Sequence, residues 1–314
     1  MQQMTQSYLE EVLEKSRPYT KEGRVASYIP ELGEADPDTL GIALTECGGG
    51  SYEAGDHQQI FTLQSISKVL SLLLALEDQG KDQVFSIVGQ EPTGDPFNTV
   101  EYLETEAKNK PFNPMVNSGA IAVASMIKGR DVDDRFGRIL DFIRQVAGNP
   151  DLKLNEEVYQ SEKRTGARNR SLAYFMESMG LIEPDVEDVL DLYFRFNSIN
   201  VTVHDLANIG CVLANRGKIP GRQDWLIAEE HVETAVTIMF MAGMYNASGE
   251  FAIEIGFPSK SGVSGGIMSV VPGQMGISII GPAIGPRGNS TAGVHILKTL
   301  SADRQLHLFR DRLL

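Results

Sequence analysis

The chain has 314 residues, long enough for one large or two modest domains with real cores. It is 42% hydrophobic and 22% charged, an ordinary globular balance that excludes disorder. The net charge of −14, spread along the chain rather than gathered in a tail, disfavours nucleic acid and anionic membrane surfaces as partners, because both repel a polyanion.

The opening Met1-Gln2-Gln3-Met4 and the acidic helical sequence after it lack the basic and apolar regions of a signal peptide. The apolar run Leu70 to Leu76 is too short to cross a membrane. Two cysteines, Cys47 and Cys211, make no disulfide framework. A cytoplasmic location, away from membranes, is expected.

In chain order, a first helix is expected from about Tyr8 to Glu14, with Ser7 and Glu10 spaced as a capping box. Leu40 to Thr45 reads as a strand, and Gly48-Gly49-Gly50 turns it into a second short one. Phe61-Thr62-Leu63-Gln64 leads into a strongly apolar helix from near Ser65 to Gly80. The middle is helical: Ser118 to Lys128, Asp133 to Val146, Glu156 to Arg164, Ser171 to Met179 and Val186 to Phe196, punctuated by Gly166, Gly180 and Gly217. Helices over about Val203 to Asn215 and Ala228 to Met241 follow. Ile267 to Val271 and Gly276 to Ile280 then form a hairpin about Pro272-Gly273-Gln274, and a last helix starts near Thr291. The fold class is therefore α/β: a mainly antiparallel sheet built from N- and C-terminal segments, flanked by helices, with a helical subdomain inserted. The expected division is one catalytic unit, with the sheet subdomain at about 20–80 plus 203–314 and the helical subdomain at about 81–202.

Ser65-Ile66-Ser67-Lys68 matches S-x-x-K. At a helix start, positions i and i+3 share a face, so a lysine amine can reach the serine hydroxyl. Buried, that amine loses its proton more readily and can serve as the base for the serine. The Ser65 N–H near the helix N-terminus is placed to stabilise an oxyanion. About one such match is expected by chance, and a second exists at Ser125-Met126-Ile127-Lys128. Context separates them: the second closes a helix, where Lys128 complements the C-terminal dipole, whereas the first follows a strand and opens a buried helix. Lys260-Ser261-Gly262 matches the K-[ST]-G element that accompanies S-x-x-K in serine β-lactamase-like proteins, where the next residue, here Val263, offers a second oxyanion N–H. Ser198-Ile199-Asn200 fits the middle S-x-N element by letters alone.

Other nucleophile readings fail on context. Gly262-Val263-Ser264-Gly265-Gly266 matches G-x-S-x-G but precedes a strand instead of a helix. Cys47 has no histidine motif to pair with, and Cys211 sits in an apolar helix as core. The five histidines are isolated from one another, so no metal site is expected.

Longer blocks carry a closer resemblance. Phe112-Asn113-Pro114-Met115-Val116-Asn117-Ser118-Gly119-Ala120 resembles the N-P-M-V-N-[AS]-G-A segment of the serine-dependent glutaminases. Tyr28-Ile29-Pro30-Glu31-Leu32, Ser161-Glu162-Lys163 with Arg168-Asn169, Gly243-Met244-Tyr245, and Lys260 to Gly266 resemble further blocks of that family in the same order, from about residue 20 to about 300. The resemblance implies a serine β-lactamase-like fold and hydrolysis of free L-glutamine to L-glutamate and ammonia, without cofactor or metal. It implies Ser65 as nucleophile, Lys68 as base, Tyr193 and Tyr245 in the proton network, and the Ser65 and Val263 amides as oxyanion donors. It also implies Glu162 on the substrate α-ammonium, with Tyr28, Asn117 and Asn169 on its α-carboxylate. Family enzymes are commonly homo-oligomers, dimers or tetramers.

Residue chemistry alone admits blander roles. Tyr193 lies in a helix stripe with Leu190 and Phe194, Asn117 can cap the helix starting at Ser118, Glu162 beside Lys163 and Arg164 can be a solvated face, and Tyr28 can be a packed loop aromatic. Two other functions use the same scaffold: a β-lactamase or D,D-peptidase, and a covalent sensor that acylates without turnover. An acidic residue facing an α-ammonium suits an amino acid better than the carboxylate of a β-lactam.

Overall fold

The computed structural model describes residues 4–93, 110–183, 185–220 and 225–310. Five strands form one antiparallel sheet: β1 (Gly41–Glu46), β2 (Ser51–Gly55), β5 (Ser259–Ser261), β6 (Gly266–Val271) and β7 (Met275–Ile280), in the spatial order β2-β1-β7-β6-β5. A separate two-stranded ribbon joins β3 (Phe61–Thr62) to β4 (Asn200–Val201). β1 sits between β2 and β7, with Gly41 opposite Ile280 and Thr45 opposite Gly276, so that segments more than 200 residues apart share one sheet.

Side-chain alternation gives this sheet two buried faces. Ile42, Leu44, Ile267, Ile277 and Ile279 pack on one side with Leu9, Val12 and Leu13 of the helix Gln6–Ser16 and with Ile296, Leu297 and Leu300 of the helix Thr291–Arg304. Ala43, Met268, Val270 and Ile280 belong to the opposite core, which runs without a break through the helices Ser67–Gln79, Asn117–Ser125, Val132–Ala147, Val186–Asn197 and Val203–Ala214. The helix Ser67–Gln79 is enclosed all round, from Val69 to Leu76, as its continuous apolar sequence requires.

The expected fold class is the observed one; the helices Lys81–Ile87 and Ser248–Glu254 and the strand Asn200–Val201 were not expected, and three expected details differ. The first helix begins earlier, and its cap is Thr5, whose side chain accepts the Tyr8 N–H; Ser7 lies inside the helix. The second S-x-x-K does not end on a helical lysine. That helix stops at Ser125, and the Lys128 N–H instead donates to the Asp78 carboxylate at 2.8 Å. Ser65 lies in a 3-10 turn, Gln64–Ile66, ahead of the α-helix proper.

The helix Val203–Ala214 lies unusually close to the sheet. A Cβ at Gly276 would sit 2.2 Å from the Ala207 carbonyl oxygen and 2.2 Å from the Cys211 nitrogen, and one at Gly210 would sit 2.8 Å from the Ser269 oxygen. These are backbone atoms and cannot swing aside. Gly276→Ala is expected to lower stability by about 3 kcal/mol, read as a lower denaturant midpoint at unchanged slope. A midpoint equal to that of the wild type would show that the helix can retreat without loss.

Candidate active site

The site is built where the ribbon, the sheet edge and the helical region converge. β3 pairs with β4, and the Leu63 N–H donates to the Ile199 carbonyl at 3.0 Å, fixing the backbone that enters Ser65. Gln64, next in line, takes a left-handed conformation with φ of 49°, uncommon for a residue carrying a Cβ. Gly262, just beyond β5, approaches the same segment so closely that a Cβ would lie 2.8 Å from the Leu63 oxygen. The absence of a side chain there lets the turn carrying Val263 dock beside Ser65. A small apolar cluster of Ala26, Ile29, Leu32, Val158 and Val263 fastens this turn to the Tyr28 loop and to the helix Glu156–Thr165.

A cleft of about 420 Å³ opens here, lined by Tyr28, Ile29, Gln64, Ser65, Asn117, Glu162, Thr165, Gly166, Arg168, Asn169, Tyr193 and Asn197. Six of the residues singled out from the sequence therefore share one wall. Lys68 lies beneath them with no exposed surface, its Nζ donating to Asn117 Oδ1 at 2.7 Å and to the Met115 carbonyl at 3.2 Å. Burial brings its pKa down to about 7, against the opposing pull of the Glu162 charge. Tyr245 adjoins Ser65, and Val263 follows the Gly262 that packs against Leu63. The Tyr245 hydroxyl donates to the Ser261 carbonyl at 3.0 Å, and burial raises its pKa while a hydrogen bond with Ser65 lowers it.

Glu162 is buried, not a solvated face. Gln64 Nε2 donates to one carboxylate oxygen at 2.8 Å and Asn197 Nδ2 to the other at 3.4 Å. Burial pushes this carboxyl up to about 7 despite both donors, so it is poised to ionise when a cation arrives. Tyr193 serves the core and the cleft together: its ring meets Phe196 edge-on at 5.5 Å, and it also lines the cavity. Tyr28 leaves 58% of its surface open at the mouth. Desolvation of its phenol, with Tyr245, Glu162 and Tyr193 nearby, raises its pKa. Asn117 is not a helix cap. The helix Asn117–Ser125 is entered from Val116, and the Asn117 amide instead accepts from Lys68 and donates to Asn169 Oδ1 at 3.0 Å.

Several site residues were not singled out from the sequence. Gln64 and Asn197 hold Glu162, and Asn197 also accepts from the Ser67 hydroxyl at 2.6 Å. Neither carries a signal along the chain: Gln64 stands beside Thr62 and Ser65, and Asn197 is followed by Ser198 in a helix that also holds Asp191 and Arg195. Lys260 and Ser261, quoted only as a motif, are both fully buried. Lys260 Nζ donates to the Ser261 carbonyl at 2.8 Å and the Gly243 carbonyl at 3.1 Å, and lies 4.4 Å from the centre of the Tyr245 ring. Among the described residues no group of His, Cys, Asp and Glu could hold a metal ion.

A serine in a tight turn over a buried lysine, beside a K-S-G strand end, is the arrangement of a serine β-lactamase-like acyl hydrolase. The Glutaminase family matches residues 23–309, and this chain belongs to that family. It is 52% identical over 306 residues to the glutaminase of Clostridium tetani, covering 98% of this chain and 100% of that one. Among solved structures it resembles a probable glutaminase of Bacillus subtilis, with a TM-score of 0.91, 37% identity and 97% of each chain covered. It also resembles a Bacillus subtilis glutaminase in covalent complex with 5-oxo-L-norleucine, formed by reaction with 6-diazo-5-oxo-L-norleucine. There the TM-score is 0.89 and the identity 36%, covering 97% of this chain and 99% of the other.

The two buried ionisable groups set a pH dependence. Below about pH 7 Lys68 carries its proton and Glu162 is neutral; above it the amine is free to accept a proton and the carboxylate is charged. The kcat/KM for amide hydrolysis should therefore rise through a limb near pH 7 and level off above it. A profile flat from pH 6 to 8 would remove both groups from control of the rate.

Proposed function

We propose that the chain hydrolyses the side-chain amide of free L-glutamine to L-glutamate and ammonia through a γ-glutamyl ester on Ser65. The observation that carries this reading is the pairing, in one cleft, of Ser65 with a buried carboxylate held by two side-chain amides. Glu162 supplies a seat for an α-ammonium in the same cleft as Ser65. Peptide-bound glutamine lacks that charge and would leave the carboxylate unpaired, which is costly in a buried site.

In the proposed reaction Ser65 Oγ attacks the carboxamide carbon while Lys68 takes its proton. The developing oxyanion faces the backbone N–H groups of Ser65 and Val263. Collapse breaks the C–N bond, and ammonia leaves with a proton delivered through the network of Tyr245 and Tyr193. Water then attacks the ester with Lys68 again as base, and glutamate departs. Tyr28, Asn117 and Asn169 donate to the α-carboxylate; an amide nitrogen has two hydrogens, so Asn117 can keep Asn169 and still reach the substrate. The covalent adduct formed by the Bacillus subtilis enzyme supports a nucleophile in this position, since 5-oxo-L-norleucine carries its ketone where glutamine carries the amide carbonyl. A β-lactam would set its carboxylate against Glu162, which disfavours the penicillin-recognising alternative.

On the strength of the resemblance we also propose that the chain works as a homo-oligomer, a dimer or tetramer, in the cytoplasm, as one catalytic unit with a sheet part (about 20–80 plus 203–314) and a helical part (about 81–202). Among the described residues no helix is long and apolar enough to cross a membrane.

Ser65→Ala should keep the far-ultraviolet circular dichroism of the wild type and release neither glutamate nor ammonia from L-glutamine; retained turnover would remove Ser65 as nucleophile. Glu162→Gln keeps the shape and loses the charge, so the KM for glutamine should rise roughly tenfold to a hundredfold. An unchanged KM would take Glu162 out of substrate binding.

A further inference from the structure

The two cysteines, 164 residues apart in sequence, meet in space. Cys47 follows β1, where its N–H donates to the Gln274 carbonyl at 2.8 Å, and it is half-buried. Cys211 lies in the helix Val203–Ala214 and is fully buried, and its sulfur is 3.9 Å from that of Cys47. The contact follows from the tight seating of this helix. Gly276 and Gly210 let it sink onto β7 and β6, and the Gly273 N–H donates to the Ala214 carbonyl at 2.8 Å, which ties the β6–β7 turn to the helix end. Neither cysteine lines the cleft, and the proposed reaction uses neither.

We propose that Cys47 and Cys211 form a modification site: a thiol pair that hydroperoxides convert to an intramolecular disulfide. The sulfurs are already in van der Waals contact, so closing the bond needs a small approach rather than a rearrangement. Their surroundings divide the roles. The hydrogen bond from Cys211 lowers the Cys47 thiol, whereas the same contact and burial raise that of Cys211. Cys47, the one with a solvent-facing side, is the attacking sulfur. With a hydroperoxide its thiolate attacks the terminal oxygen, the O–O bond breaks, and Cys47 becomes a sulfenic acid as water or alcohol leaves. The Cys211 sulfur then attacks the Cys47 sulfur; the S–S bond forms, the S–O bond breaks, and the Cys211 proton leaves with the oxygen as water. Two thiols lose two electrons in total, and one hydroperoxide gains them.

The new bond would join the end of β1 to the helix packed across it and close a loop of more than 160 residues. Such a cross-link restricts the unfolded chain far more than the folded one. Oxidation should therefore raise the thermal midpoint by several degrees and leave hydrolysis at Ser65 intact.

The experiment treats the purified wild type, Cys47→Ser and Cys211→Ser with hydrogen peroxide, and in parallel with diamide. Thiols are counted in denaturant, and intact mass, non-reducing digests and thermal midpoints are recorded. Supporting results are joint loss of both wild-type thiols, a mass lower by two hydrogens, a peptide linking residues 47 and 211, a raised midpoint, and reversal of all of these by dithiothreitol. Both single variants should fail to gain stability. Oxygen added to Cys47 with the Cys211 thiol intact, a disulfide between two chains, thiols inert to both oxidants, or an oxidised midpoint no higher than the reduced one would each overturn the proposal.

Discussion

An amine with no exposed surface, 2.7 Å from a side-chain amide oxygen and 3.2 Å from a carbonyl, sets the terms for the rest of this site. Removing the Lys68 ammonium from water is unfavourable, and that cost lowers its affinity for a proton into the neutral range. The same amine orients Asn117, Asn117 orients Asn169, and the two amides form part of the cleft wall. Burial of Lys68 in turn depends on the helix Ser67–Gln79 being enclosed on every side, so the apolar run from Val69 to Leu76 is what keeps the amine out of water.

The opposite pole is Glu162. Two uncharged donors, Gln64 and Asn197, hold it, and burial raises its carboxyl to about 7 against both donors and the nearby Lys68 charge. An arginine in either place would fill the seat. Each donor is tied to the nucleophile's own segment: Gln64 immediately precedes Ser65, and Asn197 accepts from Ser67. The Glu162 carboxylate and Ser65 are therefore both held by one stretch of backbone, in which Gln64 takes a left-handed conformation.

Much of this was legible beforehand. Helices and strands fell where periodicity and glycine turns placed them, and the hairpin about Pro272-Gly273-Gln274 closes between β6 and β7. The failures were of local competition. Thr5 and Ser7 are both competent caps, and Thr5 prevailed where the chain enters the helix in extended conformation. Of the two readings open for Asn117, cap and cleft residue, its bond to Lys68 and the lack of any side-chain cap bond exclude the cap. Lys128 lay past the last turn of its helix, where an acidic neighbour from another helix, Asp78, holds its backbone. Gln64 and Asn197 went unnamed because their partner comes from a distant helix and no spacing along the chain reveals it.

By itself the sequence determined the order of elements, the enclosure of the Ser67–Gln79 helix, the turn positions and the pairing of an S-x-x-K with a later K-S-G, because these rest on local propensity and short-range pattern. Tertiary structure alone decided that Glu162 is buried beside two amides rather than solvated, that Tyr193 faces both core and cleft, and that Cys47 touches Cys211. Each of these depends on how closely two distant segments approach. At Cys211 and at the turn after β5 that approach is permitted by Gly210, Gly276 and Gly262, whose missing side chains leave no periodic mark in the chain.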